Sequence, residues 1–309
     1  MLQKQAIYTI LVSLTVLLTA CDSSKKSETD TDAKSSVFKT EQAEVLPYLN
    51  IQQQAADIAQ PFCETKNCIE LDLQSLTTAD PWLNQWIAKS QARVIQDQIG
   101  LKQDMSLQQA INAYVKKSDT WQAEFKGNKA YSLAMYTRIP YQRNQFVLMQ
   151  IGVDTNQENV NVKERYYFFV ADRKNQKAVA LLDLIHPKQQ LAMNVLVQNA
   201  YQDWLKKQEP EVRKSAPAKL YWGQADWFFD QEGIGLHYRT HEIVKDGTQL
   251  DIYLTKAQTQ QILKADVYTQ LFYCLGPQCG ENAVDAAETL PKCSICIFIS
   301  RHFLFLRTP

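Results

Sequence analysis

The sequence predicts an α+β fold in which antiparallel sheets carry packed helices, and three observations lead there. Strand-like runs crowd the middle of the chain, helical stripes stand before and after them, and polar turns separate the runs. Strict alternation of strand and helix would instead predict a parallel sheet with helices on both faces.

Each element has a local reason. Ile69, Leu71 and Leu73 alternate with Glu70 and Asp72, the period of a half-buried strand. This strand and a partner are expected to flank the turn that holds Cys63 and Cys68. Asp80 and then Pro81 start a helix, a capping carboxylate followed by proline at the first helical position. Trp82, Leu83, Trp86, Ile87, Val94 and Ile95 give it a broad apolar face. Ser106 opens a second helix, with Leu107, Ala110, Ile111, Tyr114 and Val115 at helical spacing. These stripes read as core packing rather than as a cofactor site. Consecutive antiparallel strands are expected over 131–139, 146–153, 165–171 and 178–184. His186-Pro187 ends that run, and a helix over 188–207 follows, striped by Met193, Leu196, Val197, Ala200, Tyr201 and Trp204. Further strands fall at 219–222, 226–229, 234–239 and 249–254, with a last helix over 256–264. No internal repeat of fixed period is visible.

The N-terminus reads as an export signal. Lys4 supplies positive charge, and the apolar stretch from Ile7 to Leu18 is broken only by Thr9, Ser13 and Thr15. It is shorter than the roughly 20 apolar residues that span a bilayer. It ends in Leu18-Thr19-Ala20-Cys21, which resembles a bacterial lipobox. Residues 1–20 are therefore expected to be a lipoprotein signal peptide and Cys21 the lipid-bearing residue, with the folded body anchored on the periplasmic side of a membrane. Asp22 beside the cysteine resembles a signal for inner-membrane retention in enteric bacteria. Asp22 to Ser36 contain one alanine and no larger apolar side chain, so residues 21–37 are expected to form a flexible tether. Residues 38–268 form the expected α+β domain. The remaining 269–309 are a cysteine-containing tail whose apolar end, Ile297 to Leu306, reads as a last strand or a shifted reading frame.

Charge is balanced, with 33 Lys and Arg against 33 Asp and Glu, which gives no reason to expect a nucleic-acid partner. Beyond Cys21 the cysteines fall in close pairs, Cys63 with Cys68, Cys274 with Cys279 and Cys293 with Cys296. In an oxidising compartment these read as disulfides, Cys63, Cys68, Cys274 and Cys279 being the candidates; the alternative is a four-cysteine metal site from the last two pairs. No cofactor and no metal are expected. There is no GxSxG elbow, no HExxH helix and no phosphate-cradling glycine loop. His237, His241 and Glu242 come nearest to a metal constellation, but strand residues four apart stand about 13 Å apart, too far to share an ion without a turn. The acidic residues are too many for any pair to stand out as the carboxylates of a hydrolase.

One stretch has a recognisable rhythm. Trp227-Phe-Phe-Asp-Gln-Glu-Gly233-Ile-Gly-Leu236-His-Tyr238 continues through Glu242, Ile243 and Gly247 to Leu250-Asp-Ile-Tyr-Leu254. It resembles the C-terminal hairpin of the RsiV-like family of extracytoplasmic domains. Ile69 to Ile87 is similar to the family's opening strand, loop and helix, and Ala178 to Ile185 to its leucine–aspartate–leucine–phenylalanine element. The family's middle glycine-glycine-alanine-histidine stretch has no counterpart between Pro140 and Glu164. The resemblance implies an extracytoplasmic binding module of RsiV-like α+β fold. Its relatives include a membrane-tethered anti-sigma factor that binds lysozyme and a domain attached to a peptidoglycan deacetylase. No segment before the lipobox has room for an anti-sigma domain, so direct signalling across the membrane is not expected. The expectation is a non-enzymatic lipoprotein that binds peptidoglycan or a lysozyme-like wall hydrolase. The alternatives are a cell-envelope hydrolase with an unrecognised carboxylate site and a structural subunit of an envelope complex.

Overall fold

The computed structural model describes residue 46 and residues 48–62, 67–239, 242–243 and 249–273. The expected signal, Cys21, the tether and the tail beyond residue 273 lie outside the described residues, as do Cys63, His241 and Gly247. All described residues belong to one unit that begins at Ala43.

The fold is α+β. Six strands form the large sheet in chain order: β1 (Gln52–Ala55), β2 (Glu70–Thr77), β3 (Ser132–Arg143), β4 (Phe146–Gln157), β5 (Val160–Asp172) and β6 (Lys177–Ala178). Four of its five pairings are antiparallel, but β2 and β3 run parallel. That corrects the expectation of purely antiparallel sheets. The reason is the connection: α1 (Pro81–Gln98) and α2 (Leu107–Glu124) lie between the two strands, a crossover long enough to bring the chain back in the same direction. Both helices start as their sequences predict. Asp80 accepts from the backbone N–H of Leu83 at 3.1 Å and also holds the buried Arg173 at 3.0 Å. Ser106 and Gln109 close a reciprocal capping box.

The second half of the chain contributes α3 (Leu181–Leu184), α4 (Gln190–Lys206), α5 (Pro210–Ser215), α6 (Lys256–Ile262) and α7 (Ala265–Phe272). Between them stands a small antiparallel sheet of β7 (Asp226–Phe229), β8 (Gly233–Tyr238) and β9 (Leu250–Thr255). Two expected strands are not strands. Over 178–184 only the first residue pairs, and the chain then turns into α3; Val179, Leu181 and Leu184 are apolar because they are core. Over 219–222 no strand forms, and Trp222 opens a short 3-10 turn with Leu220 and Trp222 buried. A short apolar run bounded by turns has no period to separate strand from helix. Helix α7, not expected from the sequence, crosses residue 268 and buries Leu271 and Phe272.

Strand β4 divides two cores. Val147, Met149, Ile151 and Val153 face α1 and α2 with Leu83, Ile87, Ile111 and Tyr114. Phe146 and Leu148 face the other way, into a core with α4, α7 and the small sheet that contains Met193, Tyr201, Phe229, Leu236 and Leu271. Burial on both faces explains why β4 reads as a near-continuous apolar run.

Candidate functional site: the open half of the large sheet

The small sheet covers only part of the outer face of the large one. Register places the side chains of that face in rows. Arg138, Gln150 and Phe168 form the innermost, then Tyr136, Gly152 and Tyr166, then Asp72, Ala134 and Asp154. Phe168 is buried, whereas Tyr136 is 41% exposed and Ala134 and Asp154 are exposed. The face thus passes from covered core to open shelf within three rows.

Gly152 is what lays the shelf flat. A side chain there would collide with the Tyr136 ring, which lies over the glycine backbone. A glycine isolated in a strand commonly marks such a close approach. Tyr166 lies beside it, its hydroxyl bonded to that of Tyr136, and burial pushes its phenol well above the usual range. In the innermost row Arg138 Nε donates to Gln150 Oε1 at 2.5 Å. In the outermost row Asp154 accepts from the backbone N–H of Glu164 at 2.7 Å, across an irregularity in the β4–β5 pairing where Glu164 takes a φ of 54°. A groove of about 370 Å³ runs over this end, lined by Glu70, Asp72, Asp154, Asn156, Asn161 and Lys163 among others.

His237 forms the back of the shelf. Its ring is 5.1 Å from that of Phe168 and 6.3 Å from that of Tyr166. Nδ1 lies 2.7 Å from Asp251 Oδ1, its cross-strand neighbour, while Nε2 is buried without a hydrogen-bond partner among the described residues. Phe228 extends the aromatic ribbon, tilted against Phe168 at 5.0 Å and against Tyr253 at 5.9 Å, and Tyr253 bonds to Asp230.

The residues of the recognisable hairpin sit elsewhere and hold the small sheet together. A side chain at Gly233 would collide with the Leu254 carbonyl oxygen. Leu236 and Tyr238 are core, and the Tyr238 hydroxyl donates to the Tyr221 carbonyl at 3.2 Å. Glu242 accepts from the Arg239 backbone N–H at 3.0 Å and from its Nη2 at 2.9 Å, while Arg239 Nη1 donates to Asp226 at 3.0 Å. Burial works against the Arg239 charge, but Asp226 and Glu242 outweigh it and keep the guanidinium firmly protonated. Ile243 packs against the core, and Gly247 lies outside the described residues. His237 and Glu242 are thus engaged by different partners, and among the described residues no group of three or more His, Cys, Asp or Glu could hold a metal ion. Of the disulfide candidates Cys63, Cys68, Cys274 and Cys279, only Cys68 is described, and it is not without a partner.

No family model and no curated protein matches the sequence. Among solved structures, a DUF3298 family protein from Pseudomonas aeruginosa PAO1 superposes with a TM-score of 0.55 at 16% identity, covering 72% of this chain and 97% of its own. The two share a fold. A DUF3298 family member from Bacteroides fragilis aligns over 72% of this chain and 98% of its own at 15% identity, with a TM-score of 0.48. Among the described residues no helix is long and apolar enough to cross a membrane.

The sequence pointed to the hairpin and passed over Tyr136, Gly152, Tyr166, Asp72 and Asp154. One signal was present: Gly152 is a lone glycine inside the largely apolar run 146–153.

Proposed function

We propose that the protein is a membrane-anchored, non-enzymatic binding module that takes a cell-envelope glycan on the open half of its large sheet. The observation that carries this reading is Tyr136 laid over Gly152 beside Tyr166, with the Asp72 and Asp154 carboxylates one row away and the Asn156 and Asn161 amides in the row beyond. A sugar ring has an apolar face and a polar rim. Its face stacks on an aromatic ring, and its hydroxyls bond to groups such as Asp72, Asp154, Asn156 and Lys163. The lipobox-like Cys21 would place the module at a membrane, and the resemblance to RsiV-like domains supports an extracytoplasmic, envelope-facing role.

The test is retention of the full-length protein on insoluble peptidoglycan, compared with Tyr136→Ala and Asp154→Asn. Tyr136 is half exposed and Asp154 exposed, so both variants are expected to fold. Retention of the parent and a drop of about tenfold in affinity for Tyr136→Ala, roughly 1.4 kcal/mol, would support the reading. Parent and variants retained equally, or none retained, would overturn it. Capture by immobilised lysozyme instead would move the ligand to a wall hydrolase, and release of soluble muropeptides would move the protein to the hydrolases.

A further inference from the structure

On the opposite face of the large sheet, where the end of α1 and the middle of α2 meet the β4–β5 turn, lies a second cleft of about 320 Å³. That is the small end of the range for ligand sites, about 300–1,000 Å³. Ile99, Val160 and Val162 give it apolar walls. Its charged groups are one cation and one anion. Lys117 Nζ stands 3.7 Å from Glu158 Oε1, with the two side chains 51% and 49% exposed. The Tyr131 hydroxyl donates to the same Glu158 oxygen at 2.9 Å and fixes the carboxylate in place. The Gln157 amide lines the same cleft, with the Tyr114 hydroxyl as its neighbour.

The Lys117–Glu158 contact is long and half solvated, so parting it costs little. A ligand carrying both charges a few bonds apart would replace this one loose pair with two closer ones. We propose that the cleft binds a free α-amino acid with a short apolar side chain. Its carboxylate meets Lys117, its ammonium meets Glu158, and its side chain lies against Val160 and Val162. This site is independent of the glycan shelf, and its ligand is read from different residues.

Alanine and valine, each in both hands, are titrated into the full-length protein by calorimetry, together with N-acetylvaline and valinamide. Saturable binding of either hand is expected. A preference for the D-form would point to wall turnover as the source, and a preference for the L-form to protein breakdown. Acetylating the amine should weaken binding about fivefold to tenfold in the parent and leave affinity for Glu158→Gln unchanged; amidation should do the same against Lys117→Met. Both side chains are half exposed, so the variants are expected to fold. No saturable binding by any of the four amino acids, or parent affinities indifferent to acetylation and amidation, would overturn the proposal.

Discussion

The small-sheet hairpin and the open shelf of the large sheet differ in what their residues do for the molecule. In the hairpin every recognisable side chain that is described is spent on structure: Gly233 admits the Leu254 carbonyl, Leu236 and Tyr238 fill the core, and Glu242 clamps Arg239. On the shelf Tyr136 and Asp154 reach solvent, and little of the fold depends on them. The pattern that identifies a fold is therefore not the pattern that identifies its binding surface. Core positions tolerate few substitutions and so carry a legible rhythm, while a surface site can be assembled from ordinary residues that register brings together.

The same substitution at two glycines separates the regions most sharply. Gly233→Ala drives a methyl into backbone that cannot yield, and should lower unfolding free energy by about 3 kcal/mol or more, read as a fall in the urea midpoint. An unshifted midpoint would remove the hairpin's structural role. Arg239→Met leaves Asp226 and Glu242 without their shared cation and should cost about 3 kcal/mol, since removing one partner strands the other charges. Gly152→Ala, by contrast, meets only the Tyr136 side chain, which can swing outward. It should cost about 1 kcal/mol or less but displace the ring and reduce retention on peptidoglycan. A large stability loss there with retention intact would erase the distinction between the two regions.

The smallest expected effect is a pH slope. Burial is the main influence on Asp226 and raises its carboxyl above the usual range, although Arg239 pulls the other way. The folded state therefore holds this proton more tightly than the unfolded chain. From the ordinary carboxylate pKa upward to the raised one, stability should fall as pH rises. Urea midpoints measured upward from the ordinary carboxylate range should show this slope in the parent and lose it in Asp226→Asn.

Much of the fold was legible. Asp80-Pro81 and Ser106 fixed the helix starts through local capping chemistry, and the long strands announced themselves by composition. Val179 to Leu184 and Leu220 to Trp222 misled because burial made them apolar without giving them a period. The parallel β2–β3 pair needs knowledge of which strands meet, and local pattern does not hold it. The shelf was hidden for the same reason. Tyr136, Gly152 and Tyr166 are well separated in sequence and become neighbours only through the register of three strands.

The burial of β4 on both faces also bears on how the molecule opens. A wall shared by two cores cannot be withdrawn from one without exposing the other, so the two should lose structure as a single cooperative unit. Amides of Val147, Met149 and Ile151 should be among the slowest to exchange with solvent, their opening free energy close to that of global unfolding. Gly152 lies on that same strand, so the floor under Tyr136 is held by backbone that should be among the slowest to open. Ligand engagement on the shelf should then leave the exchange pattern of β4 almost untouched.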